Sequence, residues 1–156
     1  MDDTDMTAKL KILFLCTGNS CRSQMAEGWA RSLKSDCVEA YSAGTDIHGM
    51  NPNVIKVMSE AGVDISSQRS KHLDELGDIV FDYVVTVCGA ANEACPIFSG
   101  GAKVVHVGFE DPPQLAAQCE SDEAKLDCYR RVRDQIRDFI ASLPEGLQQE
   151  SCNCGN

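Results

Sequence analysis

Basic residues are scarce in this chain of 156 residues. Its 14 lysines and arginines stand against 24 aspartates and glutamates, a formal charge of −10. Nucleic acids and anionic membrane surfaces both require a basic face, so neither is expected as a partner. Long apolar runs are also missing: the longest, such as Ile12-Leu13-Phe14-Leu15-Cys16, is far too short to span a bilayer. The opening Met1-Asp2-Asp3-Thr4-Asp5 has neither the basic nor the apolar region of a signal peptide, which predicts a cytoplasmic protein. Histidine is rare, and His48, His72 and His106 are scattered. No two cysteine pairs face each other at zinc-site spacing, so no metal is predicted.

Cysteine, in contrast, is abundant, with nine residues. An odd count without a secretory signal argues against a disulfide framework and for catalytic or redox use of a subset. The remaining cysteines act as small apolar residues. The length suits one core, and a single catalytic domain is expected over 1–156. Its folded part covers about 9–146, followed by a polar, flexible tail at 147–156 that carries Cys152 and Cys154.

Strand and helix signals alternate along the chain. This predicts an α/β three-layer sandwich, with a four-stranded parallel sheet flanked by helices. Strands are expected at Leu10 to Cys16, Val38 to Ala43, Asp82 to Cys88 and Lys103 to Phe109. Gln24 to Lys34 reads as a helix with Met25, Ala26, Trp29 and Leu33 at helical spacing. Pro52 to Ala61 reads as a second helix, stopped by Gly62. The last helix starts near Ser121, carries Leu126, Tyr129, Val132, Ile136, Phe139, Ile140 and Leu143 on one face, and stops at Pro144 and Gly146. On this layout Cys16 ends the first strand, Cys88 ends the third, and Asp111 lies two residues past the fourth. In an open parallel sheet, ligands bind beyond the carboxyl ends of the strands.

The segment joining the first strand to the first helix reads Cys16-Thr17-Gly18-Asn19-Ser20-Cys21-Arg22-Ser23. Successive backbone N–H groups in such a turn make a concave nest for an anion, and the helix N-terminus adds positive partial charge. Gly18 and Asn19 suit positive φ. Arg22 can grip two oxygens of a tetrahedral anion through its planar fork. The same field favours the thiolate of Cys16, with Ser23 able to donate to it.

This Cys-x5-Arg-Ser loop resembles the signature of the low-molecular-weight tyrosine phosphatases and of the thioredoxin-coupled arsenate reductases that share their fold. Met25-Ala26-Glu27, Tyr41-Ser42-Ala43-Gly44, His48-Gly49, Asn51-Pro52 and Asp111-Pro112 extend the likeness over nearly the whole chain. Gln24 stands where the phosphatases usually have proline and the reductases glutamine. Cys88 followed by Cys95-Pro96 matches the cysteine pair of the reductase branch. Pro113 replaces an aromatic residue common in the phosphatases after Asp-Pro.

The resemblance implies reduction of arsenate to arsenite by a relay in which Cys16 is the nucleophile and Cys88 and Cys95 follow. Asp111 is implied as the acid, with Thr17 to Ser23 binding the oxyanion. Thioredoxin is the implied electron donor, glutaredoxin with glutathione being the other option. No organic cofactor is implied, and a monomer is expected. If residues 88 to 95 were helical, their Cα atoms would lie about 10.5 Å apart. A disulfide spans at most about 7 Å, so this segment has to unwind or loop out on oxidation.

The rival readings are a phosphotyrosine phosphatase using Cys16, Arg22 and Asp111 alone, and a non-catalytic thiol protein that sequesters arsenite. The second leaves the oxyanion loop unexplained. Asn19, Glu27 and Ser42 match positions that support the loop, in some family members through a bound potassium ion. Arg69 and Lys71 stand where those members have Thr and Asp, and two cations there disfavour a metal. Gln68-Arg69-Ser70 looks more like the phosphatases and leaves room for residual hydrolysis. Cys21 could pair with Cys16 on oxidation, whereas Cys37, Cys119 and Cys128 are given no partner, and Cys128 is set on or near the last helix.

Overall fold

The computed structural model describes residues 9–87, 101–143 and 145–147. Four strands, β1 (Leu10–Cys16), β2 (Val38–Gly44), β3 (Tyr83–Thr86) and β4 (Lys103–His106), form one parallel sheet in the order β2-β1-β3-β4. Among the described residues four α-helices accompany them: α1 (Arg22–Leu33), α2 (Pro52–Glu60), α3 (Pro112–Ala116) and α4 (Asp122–Ala141). A 3-10 turn spans Leu73–Leu76. The expected parallel sheet flanked by helices is the fold observed.

Alternation along β1 divides the core. Ile12, Phe14 and Cys16 face a layer built from Met25, Trp29, Val57, Met58, Val132 and Ile136 of α1, α2 and α4. Leu13 and Leu15 face the opposite side, against Ala43, Phe81 and Val84, with Leu73, Leu76 and Ile79 packed around them. Residues 12 to 15 of β1 are fully buried, as a strand covered on both faces must be. Trp29 fills the core as expected and donates its indole N–H to Arg133 O at 3.1 Å.

Helix α2 starts on Asn51, whose side chain accepts from Asn53 N, has proline in its first turn, and ends before Gly62 at φ +89°. Helix α4 is capped by Ser121 and buries Tyr129, Val132, Ile136 and Ile140. It ends at Ala141, and Pro144 lies outside the described residues. Among the described residues, no helix is long and apolar enough to cross a membrane.

Most boundaries differ by a residue or so from the sequence reading, and three differ by more. Helix α1 begins at Arg22, not Gln24, so the arginine itself belongs to the first helical turn. Strand β3 stops at Thr86 and β4 at His106, so Asp111 lies five residues past the last strand, not two. The apolar run of each segment continues past its last ladder pair, Leu15 with Thr86 for β3 and Thr86 with His106 for β4. Contact persists irregularly, with Val87 N donating to Leu15 O at 3.1 Å and Val107 N to Thr86 O at 2.9 Å. Cys88, Cys95 and the tail with Cys152 and Cys154 lie outside the described residues.

Candidate active site

The loop from Cys16 to Cys21 leaves the end of β1 and runs directly into α1. A cleft of about 310 Å³ opens there. Cys16, Thr17, Gly18, Ser20, Cys21, Arg22 and Asp111 all line it. Seven residues singled out from sequence thus converge on one space at the carboxyl edge of the sheet. Asn19 and Ser23 are fully buried behind it.

Asn19 is the only non-glycine residue at positive φ among those described, at 50°. Gly18 is not in that region. Its small size serves another purpose, because a Cβ there would come within 2.6 Å of His48 Nδ1. Asn19 is held from every side. Its Nδ2 donates to Ser23 Oγ at 2.8 Å, Lys71 N donates to its Oδ1 at 2.9 Å, and Ser70 Oγ donates to its carbonyl at 2.6 Å. Gln24 Nε2 lies within 3.1 Å of both Asn19 oxygens and donates as well to Arg69 O at 3.0 Å. A backbone conformation costly for a non-glycine residue persists only where its surroundings over-determine it.

Arg22 is almost fully buried. Its Nη1 donates to Phe109 O at 3.0 Å, and its Nη2 lies 3.7 Å from Asp111 Oδ1. Nε is buried with no hydrogen-bond acceptor among the described residues. Asp111 is the N-cap residue of α3, yet its side chain makes no capping bond, and it lines the cleft. The candidate clamp and the candidate acid therefore come from chain segments 89 residues apart and meet across the cleft. Burial pushes the Cys21 thiol up to about 11, with the Ser20 hydroxyl opposing, so it is a neutral lining group at ordinary pH.

Sequence reasoning gave His48 no role beyond its part in a motif and Pro113 none at the site, yet both line the cleft. His48 N donates to Gly18 O at 3.0 Å, which ties its segment to the loop. Phe109 was missed because it acts through its carbonyl, which no side chain announces.

The surroundings of Glu27 do not fit a potassium ion. Glu27 is buried and accepts from Ser42 Oγ, and Arg31 Nη2 lies 2.7 Å from its Oε2. Lys71 Nζ stands 3.1 Å from Ser42 O, 3.3 Å from Arg69 O and 3.7 Å from Glu27 Oε1. An ammonium therefore already occupies the position facing these oxygens. Arg69, expected beside it, instead turns outward to pair with Glu75. A second correction concerns Cys119 and Cys128. The packing of α3 on α4 brings their sulfurs to 3.6 Å, a juxtaposition nine residues apart that no local pattern signals.

Residues 11–153 match the low molecular weight phosphotyrosine protein phosphatase family. The arsenate reductase of Halalkalibacterium halodurans is 47% identical over 88% of this chain and 96% of its own. That of Bacillus subtilis is 46% identical over 86% and 94%. The crystal structure of an arsenate reductase from Archaeoglobus fulgidus superposes with a TM-score of 0.65 at 29% identity, covering 85% of this chain and 97% of that one. The chain belongs to the low molecular weight phosphotyrosine protein phosphatase family, on its arsenate reductase branch.

Proposed function

We propose that this enzyme reduces arsenate to arsenite in the cytoplasm through Cys16, Cys88 and Cys95, with thioredoxin restoring the thiols. Arsenate enters the nest of the Cys16–Cys21 loop, where Arg22 grips its oxygens. Cys16 sulfur bonds to arsenic(V), and an oxygen leaves as water with a proton from Asp111. Cys88 thiolate then attacks Cys16 sulfur. The sulfur–arsenic bond breaks, its electron pair passes to arsenic, and arsenite departs as a Cys16–Cys88 disulfide forms. Cys95 attacks Cys88 sulfur, frees Cys16 as thiolate, and leaves a Cys88–Cys95 disulfide for thioredoxin.

The observation that carries this reading is the placement of β1 beside β3. Val87, one residue before Cys88, donates its N–H to the carbonyl of Leu15, one residue before Cys16. Hydrogen-bonded parallel strands lie about 4.8 Å apart, which suits thiol exchange between the residues that follow. A hydrolase would have no use for a second thiol at that point.

Single-turnover kinetics test the order of events. Cys95→Ser should reduce one equivalent of arsenate and stall as a Cys16–Cys88 disulfide, found by peptide mapping. Cys88→Ser should form no arsenite. Equal behaviour of the two variants, or multiple turnover by Cys88→Ser, would overturn the relay.

A further inference from the structure

We propose that Cys119 and Cys128 form a second dithiol that binds trivalent arsenic, outside the catalytic cleft. Cys119 lies in the turn after α3 and Cys128 in the second turn of α4. Their sulfurs are 3.6 Å apart, and Cys119 Sγ also faces Leu115 O at 3.6 Å. A disulfide would need the sulfurs to close to about 2.05 Å, whereas bridging through one interposed atom leaves them near their present span. Both residues are half-buried, so a small molecule can reach the sulfurs. Burial and the bond from Cys119 raise the Cys128 thiol above its ordinary value, so the pair waits as thiols.

Trivalent arsenic is soft and prefers sulfur to oxygen donors. Arsenous acid would form two arsenic–sulfur bonds, releasing two waters made from its hydroxyls and the two thiol protons. One hydroxyl stays on arsenic, and no oxidation state changes. Arsenous acid is uncharged at neutral pH, so the chain's charge of −10 does not repel it. The bridge would join α4 to the segment that begins at Asp111.

The chemistry does not depend on the reductase reading, so the Cys16→Ser protein serves as the test background. Phenylarsine oxide and arsenite are the probes. Digestion with trypsin places Cys119 in peptide 104–125 and Cys128 in peptide 126–130. One phenylarsenic group should link these two peptides in the mass spectrum. Arsenite about tenfold above half-saturation should slow maleimide labelling of both cysteines about tenfold. Cys119→Ser should abolish the link and restore the labelling of Cys128. Unlinked peptides, or labelling rates indifferent to arsenite, would overturn the site.

A different observation carries a second inference. The geometry assigns Lys71 as a positioning residue whose ammonium is a built-in cation bracing the oxyanion loop. Its Nζ joins Ser42 O, Arg69 O and Glu27, while its backbone N–H holds Asn19 Oδ1, the residue at positive φ in the loop. Ser42 in turn donates to Glu27, so sheet, helix and loop meet at one charge. Removing the ammonium leaves the Ser42 and Arg69 carbonyls and Glu27 Oε1 without the cation they face, because Arg31 pairs with the other Glu27 oxygen, Oε2.

Phosphate binding, measured by calorimetry, reports on the loop whatever reaction it serves. Lys71→Met should weaken phosphate binding about tenfold, within the range for residues that orient a binding group. In Lys71→Gly, methylammonium or potassium should restore the affinity, and neither should affect the parent protein. Unchanged affinity in Lys71→Met would overturn the role. So would a loss in Lys71→Gly that no small cation reverses while its melting temperature stays that of the parent.

Discussion

The side-chain amide of Gln24 reaches both oxygens of Asn19, within 3.1 Å of its carbonyl and its side-chain oxygen. Gln68 Nε2 in turn donates to Gln24 Oε1 at 2.7 Å, so a fully buried glutamine links the loop to a segment 44 residues away. Proline at position 24 could make none of these side-chain bonds.

Gln24→Leu should therefore lower stability by about 1–3 kcal/mol, the cost of stranding buried partners. Urea melts measure this loss. Phosphate affinity should fall with it, because Asn19 loses one of the groups fixing its conformation. A variant as stable as its parent would show that Ser23, Ser70 and Lys71 hold Asn19 without the glutamine.

Gly44 pairs with Cys16 across β1 and β2, and an added Cβ would stand 2.4 Å from Thr17 O and 3.0 Å from Asn19 N. Both are backbone atoms of the loop and cannot swing aside. Gly44→Ala should cost about 1–3 kcal/mol by overpacking and should distort oxyanion binding as well. Gly101→Ala, where a Cβ meets nothing within 4 Å, provides the neutral control. Equal melting temperatures for the two variants would refute the contact.

Cys16→Ser should abolish arsenate reduction and any hydrolysis of an aryl phosphate, because one loop serves both. Arg22→Lys should be impaired at least about tenfold in kcat/KM, since an ammonium cannot keep the Phe109 carbonyl and grip an oxyanion through a planar fork. Steady-state assays with each substrate check both variants. Near-normal turnover in Arg22→Lys would remove the arginine from the clamp.

Cys21 should resist alkylation at pH 8 in the folded protein and react readily in urea. Its thiol ionises near 11 when folded, against 9.0 for the ordinary group. The sign follows from linkage: the folded state favours the neutral thiol. That contribution is complete below pH 9.0 and is lost as the pH rises from 9.0 to about 11, where only the unfolded chain would ionise. Comparing the pH dependence of urea melts for the parent and Cys21→Ala isolates it. A parallel pair of curves would contradict the burial argument.

Much of this was legible beforehand. β1 declared itself as a short apolar run, and the loop declared itself because Cys16, Asn19 and Arg22 are chemically unusual between a strand and a helix. The strand ends were less legible because a β-branched run does not record where its neighbour stops. Val87 and Val107 look like strand residues, but the regular ladder has already ended, at Leu15 of β1 for Val87 and at Thr86 of β3 for Val107. Long-range meetings were legible only through the resemblance, which set Lys71 beside Glu27 and Asp111 at the loop. Nothing near Cys119 indicates Cys128.

The anchor that Arg22 finds at position 109 is a main-chain carbonyl. A survey of substitutions would therefore detect this contact only from the arginine side. The Phe109 ring answers to a separate demand, packing 6.2 Å from the ring of Phe139. Replacing it with leucine would tax the packing and leave the acceptor in place. Position 109 serves the clamp through an atom that every amino acid carries.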